Sequence, residues 1–252
     1  HACGAIKKFG NVIDRQYPIA NYDYVLATSS YWKEPYSQAF SVKSENVLPI
    51  GMPRTDELFN NNWLEEKHKD LYFRYPQLKD KKIILYAPTF RGNIYKGFSA
   101  IEFDALKILE QLDSQYVILY KYHPLMGNYQ LPDHPRIINM NHEDTHALFS
   151  ITDYLISDYS SIVFDYMILK KPLIFFTPDL EEYSQSLGVF VNLENLGYPI
   201  CYSEEEIVSS ICQYQVSQKQ MEDMKDLFFT YQDGESTTRV ISFMRGIIHE
   251  EN

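Results

Sequence analysis

The sequence predicts an α/β fold built on a doubly wound parallel sheet. Three observations carry that expectation. Short hydrophobic runs rich in Ile, Leu, Val and Tyr recur from Ile83 onward, each too short for a helix. Stretches with helical spacing separate them, and that alternation is the signature of β-α-β units. Three polar clusters, "APTFR", "KYHP" and "SDYSS", each follow such a run directly. In an open parallel sheet ligands bind beyond the carboxyl ends of the strands, so all three clusters are expected on one rim.

Taken in order, "HACGAIKKFG" (1–10) reads as a turn running into a short helix. "DYVLATS" (23–29) reads as a buried strand, and "YWKEPYSQAF" (31–40) as a helix interrupted near Pro35, because proline lacks the N–H a helix interior needs. "VLPIG" (47–51) reads as a second strand closed by "MPRTD". Asn60 to Arg74 forms a polar amphipathic helix, and 75–82 a loop. "IILYAPT" is then a strand, and 99–112 a helix by its apolar spacing. "QYVILYKYHP" is a strand and turn, "RIINM" (136–140) a strand, and "DTHALFSI" a short helix starting at an N-cap Asp144. "DYLIS" is a strand, "SIVFDYMIL" a helix and "PLIFFT" (172–177) a strand. Helices near 204–215, 217–230 and 236–249 close the chain. Residues 1–60 read as the tail of a preceding α/β unit, and 61–252 as a domain of their own, doubly wound from residue 83 on.

Composition narrows the function. With 252 residues, 45% of them hydrophobic, the chain can fill one large or two smaller cores. No apolar run approaches the ~18 residues of a membrane span, and no secretory signal is visible. The chain starts at His1 rather than Met, so it is expected to begin inside a longer protein. Three scattered cysteines give neither a C-x-x-C pair nor a disulfide framework, which fits a reducing, cytoplasmic setting. A net charge of −11 argues against a general nucleic-acid binder, yet leaves room for a local positive pocket.

Each motif carries two readings. Ser160 and Ser161 open a helix, where free N–H groups and hydroxyls suit a phosphate; ordinary capping by Asp158 or Ser160 would give the same pattern. Asp165 lies four residues on, on the same helix face as Ser161. His123, before Pro124 and two residues after Lys121, can donate to a phosphate or simply close a turn. Arg54 suits a phosphate, or else pairs with Asp56. "DGESTTR" (233–239) offers Ser236 as a cap and Arg239 in the first helical turn, again a cap or an anion contact. "HEDTH" (142–146) matches the H-E-x-x-H zinc motif in letters. An N-cap at Asp144 would leave His142 and Glu143 outside the helix, so no metal site is expected there.

Six ordered blocks together resemble one family: "HACGAIKKFG", "GMPRTDELF", "ILYAPTFRG", "KYHP", "DYLISDYSSIVFDYMILKKPLIFF" and "GESTTR". They are similar to the CDP-glycerol glycerophosphotransferases, which include the teichoic acid primases and polymerases of Gram-positive bacteria and related capsule polymerases. The resemblance implies a GT-B fold, two facing Rossmann-like domains with the active site between them. It implies His1 as catalytic base, although the family's H-G-T-P reads here His1-Ala2-Cys3-Gly4, and it places Ala2, Cys3, Gly4 and Ala5 beside the substrate. Ser160 and Ser161 would hold the donor pyrophosphate, with Asp165 in the same site and His123 on the phosphates. Arg54, Pro88, Thr89 and Lys121 would complete the donor pocket, with Ser236 and Arg239 as further anion contacts.

The implied reaction moves glycerol phosphate from CDP-glycerol to a hydroxyl of a lipid-linked or polymeric polyol-phosphate acceptor and releases CMP, without an obligatory cofactor. Such an enzyme would sit on the inner face of the bacterial membrane, held there through regions outside this sequence. CDP-ribitol as donor, a GT-B glycosyltransferase using a nucleotide sugar, and a donor-binding module inactive without its other half remain alternatives.

Overall fold

The computed structural model describes residues 4–93, 97–126, 130–186 and 188–250. Its first part holds strand β1 (Val25–Leu26), helix α1 (Lys33–Phe40) and strand β2 (Val47–Leu48), with β1 and β2 paired in parallel. Helix α2 (Asn61–Arg74) then leads into β3 (Lys82–Tyr86), followed by an antiparallel hairpin of β4 (Arg91–Asn93) and β5 (Gly97–Ser99). Helix α3 (Ala105–Gln111), β6 (Tyr116–Tyr120), β7 (Ile137–Asn139), α4 (Thr145–Ile151), β8 (Tyr154–Ser157), α5 (Ile162–Met167) and β9 (Leu173–Phe176) continue the alternation. Helix α6 (Leu180–Ser186), β10 (Ile200–Cys201) and helices α7 (Glu204–Cys212), α8 (Gln218–Phe228) and α9 (Ser236–Glu250) complete it.

The main sheet has six parallel strands in the order β10-β9-β8-β3-β6-β7. Its central strands are buried on both faces, which explains why they read as unbroken apolar runs rather than alternating ones. Odd-numbered residues (Ile83, Leu85, Leu119, Leu155, Phe175) enter one core, and even-numbered ones (Ile84, Tyr86, Ile118, Ile156, Ile174) the other. The chain leaves β3 toward β6 and β7 on one side and returns to β8 on the other. The order therefore reverses between β3 and β8, where a crevice opens beyond the strand ends.

Asp144 caps α4 as the sequence suggests, accepting from the Ala147 N–H (2.8 Å), and Asn60, read as the first helical residue, instead caps α2 by accepting from the Trp63 N–H (3.2 Å). Several local expectations change. Residues 4–9 form no helix. Their backbone bonds to the 188–190 loop instead, with Phe190 N–H donating to Ile6 O (2.7 Å) and Lys8 N–H to Gly188 O (3.0 Å). Pro35 does not interrupt α1, because it is the third residue, where an N–H has no intrahelical partner anyway. The helix expected over 99–112 begins only at Ala105. Phe103 stacks on Tyr86 (3.8 Å) and Asp104 caps the helix, which pulls the preceding residues out of it.

The C-terminal helices return to the first sixty residues. Helix α8 packs on the turn at 30–32 and α9 on the turn at 53–59. Trp32 is fully buried between Phe164 of α5 (5.1 Å) and Phe228 of α8 (5.5 Å).

Candidate functional site

A cavity of about 380 Å³ lies between the segment 4–9 and the carboxyl ends of β3, β6 and β8. Gly4 and Ala5 line one wall; Pro88, Thr89, His123, Ser160 and Ser161 line the other. These seven residues come from four separate motifs. Gly4 reaches this wall because it has no side chain: a Cβ there would stand 2.5 Å from Trp32 and 2.6 Å from Phe164. A larger hollow of about 570 Å³, bordered by α2 and by Lys170, Lys171 and Lys225, is lined by none of the expected site residues.

The floor of the cavity is held by Asp158, which is fully buried. Its Oδ1 accepts from both the N–H and the Oγ1 of Thr89, each at 2.7 Å, and its Oδ2 from Arg91 Nη1 at 2.9 Å. Arg91 also donates to Asp179 at 2.9 and 3.2 Å, and its guanidinium lies over the stacked rings of Tyr159 and Tyr183. Ser157 Oγ donates to Ala87 O at 2.6 Å. The loops "APTFR" and "SDYSS" are thereby fastened across the crevice between β3 and β8. Burial pushes the Asp158 carboxyl up, against the pull of Arg91 and Thr89. Asp158 is thus an anchor and not the N-cap that the sequence allowed. The N-cap is Ser161, in helical conformation and without a side-chain cap bond.

That geometry changes the argument for an anion at Ser160 and Ser161. Helix α5 has six residues, too short for a strong macrodipole, so attraction must come mainly from side chains. Neither serine hydroxyl has a hydrogen-bond partner among the described residues. His123 lies beside Phe90 (4.9 Å); burial and the neighbouring Lys7 ammonium lower its pKa, which favours the neutral imidazole with its single N–H. Lys7 also lines the cavity, and burial lowers its pKa as well.

Other expected contacts fall elsewhere. Lys121 turns away, donating from Nζ to Asn141 O at 2.7 Å. Arg54 is paired not with Asp56 but with Asp165, which is fully buried on α5. His146 joins them: it stands 3.1 Å from Asp165 and, through Nδ1, 2.6 Å from Glu57 Oε1. Burial works to lower the His146 pKa, but the Asp165 and Glu57 carboxylates outweigh it and the pKa is raised. His146, half of the zinc-like match, is therefore engaged with carboxylates. His142 lies with Tyr75 (2.8 Å) and faces solvent, on a different set of partners. Asp56 accepts from the N–H groups of Ser236 (2.9 Å) and Thr237 (2.8 Å), so a carboxylate of the chain itself already occupies the anion position at the start of α9. Arg239 donates to Ile50 O (2.9 Å) and Asp233 (2.8 Å), and Ser236 packs on Gly51, whose φ of +98° suits glycine. Ser236 and Arg239 clasp the end of β2 to α9, away from the cavity. His1, Ala2 and Cys3 lie outside the described residues.

Sequence reasoning missed Arg91, Asp179 and Lys7, and gave Asp158 only a capping role. Arg91 stood inside a quoted motif. A charge so close to a buried strand end was the available signal.

A doubly wound parallel sheet with a cavity at its switch point, packed against the preceding β1-α1-β2 segment, is a fold of the GT-B type. A family model, CDP-glycerol:poly(glycerophosphate) glycerophosphotransferase, matches residues 1–245. The teichoic acid ribitol-phosphate primase of Bacillus spizizenii is 31% identical over 98% of this chain and 68% of its own length. The teichoic acid glycerol-phosphate primase of Bacillus subtilis is 30% identical over 98% of this chain and 67% of its own. Among solved structures, the wall teichoic acid polymerase TagF, in a histidine-to-asparagine variant soaked with CDPG, superposes with a TM-score of 0.81 at 28% identity, over 98% of this chain and 67% of that one. The chain belongs to the CDP-glycerol:poly(glycerophosphate) glycerophosphotransferase family, and it spans about two thirds of the length of these relatives.

Proposed function

We propose that this chain carries the donor site of a CDP-alditol phosphotransferase that moves glycerol phosphate from CDP-glycerol to a polyol-phosphate acceptor. The observation that carries this reading is the single cavity at the β3/β8 switch point that gathers Pro88, Thr89, His123, Ser160 and Ser161. An acceptor hydroxyl attacks the β-phosphorus. The new P–O bond forms as the bond to the α-phosphate oxygen breaks, CMP leaves with the electron pair, and the acceptor proton passes to a base. His1 is the base in this reading. The serine hydroxyls and the neutral His123 N–H donate to the phosphate oxygens. Arg54 and Asp165 act from behind α5, through its position rather than by touching the donor. Residues 61–252 form the donor domain, and 1–60 the end of the acceptor-side domain.

Ribitol remains a second reading for a specific reason: the ribitol-phosphate and glycerol-phosphate primases match this chain almost equally, at 31% and 30% identity. No described helix is long and apolar enough to cross a membrane. A peripheral place on the inner membrane face, where a lipid-linked acceptor would be met, belongs to this proposal.

The test is a panel of CDP-glycerol, CDP-ribitol and UDP-sugars given to the full-length protein, with CMP or UDP release as readout. CMP release from a CDP-alditol is expected; UDP release alone would point to a glycosyltransferase. The serine pair gives a second check. Replacing Ser160 and Ser161 together by alanine should weaken donor binding by about 1–3 kcal/mol, the scale of hydrogen bonds to charged groups. Calorimetry on the folded double variant measures this, and unchanged affinity would remove the serines from the site.

A further inference from the structure

Among the described residues, Lys7 is the only lysine or arginine that lines the cavity. Its backbone is fixed: Lys7 bridges to Val189, and Lys8 N–H donates to Gly188 O at 3.0 Å. Its side chain is largely withdrawn from water, with Nζ 5.5 Å from the centre of the Phe90 ring. No carboxylate or carbonyl among the described residues pairs with this ammonium. The charges it senses most are Asp158 and Arg91, which oppose each other and are already joined at 2.9 Å. A cation taken from water without a partner is costly, and the cost is recovered when an anion enters. The hydroxyls of Ser160 and Ser161, on the opposite wall, are also without partners among the described residues.

We infer that Lys7 binds the α-phosphate of the nucleotide, the group that leaves as CMP, and neutralises the charge that develops on it. This rests on the donor reading above. When the bond between the β-phosphorus and the bridging oxygen breaks, that oxygen keeps the electron pair and the α-phosphate passes from one negative charge to two. An ammonium largely withdrawn from water acts on that added charge more strongly than one in bulk water. The residue approaches from the segment that follows His1, so the leaving phosphate is gripped from both walls: by the serines on one side and by Lys7 on the other.

The test uses the full-length protein and two ligands, CMP and cytidine, measured by titration calorimetry with ligand-observed NMR for weak binding. Lys7→Met is expected to lower CMP affinity about 10- to 100-fold, as loss of a charge-assisted hydrogen bond does, and to leave cytidine affinity unchanged. Lys7→Arg keeps the charge and should retain most of the CMP affinity. Lys8→Met, on the neighbouring exposed lysine, should change neither. Equal loss of CMP and cytidine, or unchanged CMP affinity, overturns the assignment. Lys7→Gln guards against a folding defect peculiar to methionine; if both uncharged variants unfold, Lys7 is a structural residue and the inference fails. Wild-type protein that binds neither CMP nor CDP-glycerol overturns the donor reading itself, a result distinct from a Lys7 effect of zero.

Discussion

Replacing Asp158 by alanine should destabilise the full-length protein by about 3–5 kcal/mol, the usual cost of removing one partner from a buried charge pair. The reason lies in what would be left behind. Arg91 would keep Asp179 but lose its buried acceptor, and both the N–H and the hydroxyl of Thr89 would lose theirs. Each orphaned group would carry a desolvation penalty with nothing to offset it. Urea unfolding, read at equal slope, measures the change. Burial already pushes the Asp158 carboxyl up, so the pair is costly to form, and taking away both partners should hurt less than taking one. Asp158→Ala combined with Arg91→Met should therefore be less damaging than the sum of the two single variants. A stable Asp158→Ala protein with additive behaviour would show that the two loops are fixed by something else. Donor binding should also fail in the single variant, because Thr89 and Ser160 are positioned by the loops that Asp158 ties together.

The distribution of what was legible in the sequence follows from the range of each interaction. Strand runs such as 83–86 and 173–176 were readable because a strand buried on both faces needs no partner to declare itself. The cap at Asp144 was readable because a cap acts within three residues. The rim position of "APTFR", "KYHP" and "SDYSS" followed from topology alone. Partnerships were another matter. Asp158 reaches Thr89 across 69 positions, and Arg54 reaches Asp165 across 111, while the nearer Asp56 serves α9 instead. Sequence proximity favours the wrong partner in each case. The pair "KK" at 7–8 fell in a stretch read only as a turn running into a short helix, and it is the packing of segment 4–9 over the crevice that withdraws the first lysine from water. The two-residue strands β1, β2 and β10 are set by their neighbours and carry too little pattern of their own to be bounded from sequence.

Replacing His1 by alanine should lower kcat of the full-length protein by about 10²–10⁴-fold, the range expected when a general base is lost. His1 heads the block that resembles the family's base motif, and the residues that follow it, Gly4 to Lys7, form the cavity wall opposite the serines. In the proposed mechanism the base meets the acceptor hydroxyl, while the donor phosphates would rest on the strand-end wall and on Lys7. Donor affinity should therefore change little. The acidic limb of the pH–rate profile should also vanish, since a free histidine titrates near pH ~6.5 and is useless as a base once protonated. His123 does not substitute, because it stands on the donor wall and its N–H is directed to phosphate in the proposed chemistry. The two variants from one segment thus separate two roles. His1→Ala should lose turnover and keep CMP binding, whereas Lys7→Met should lose CMP binding first. Normal turnover in His1→Ala, or equal loss of turnover and donor affinity, would make His1 a binding or structural residue and would require the proton to leave by another route.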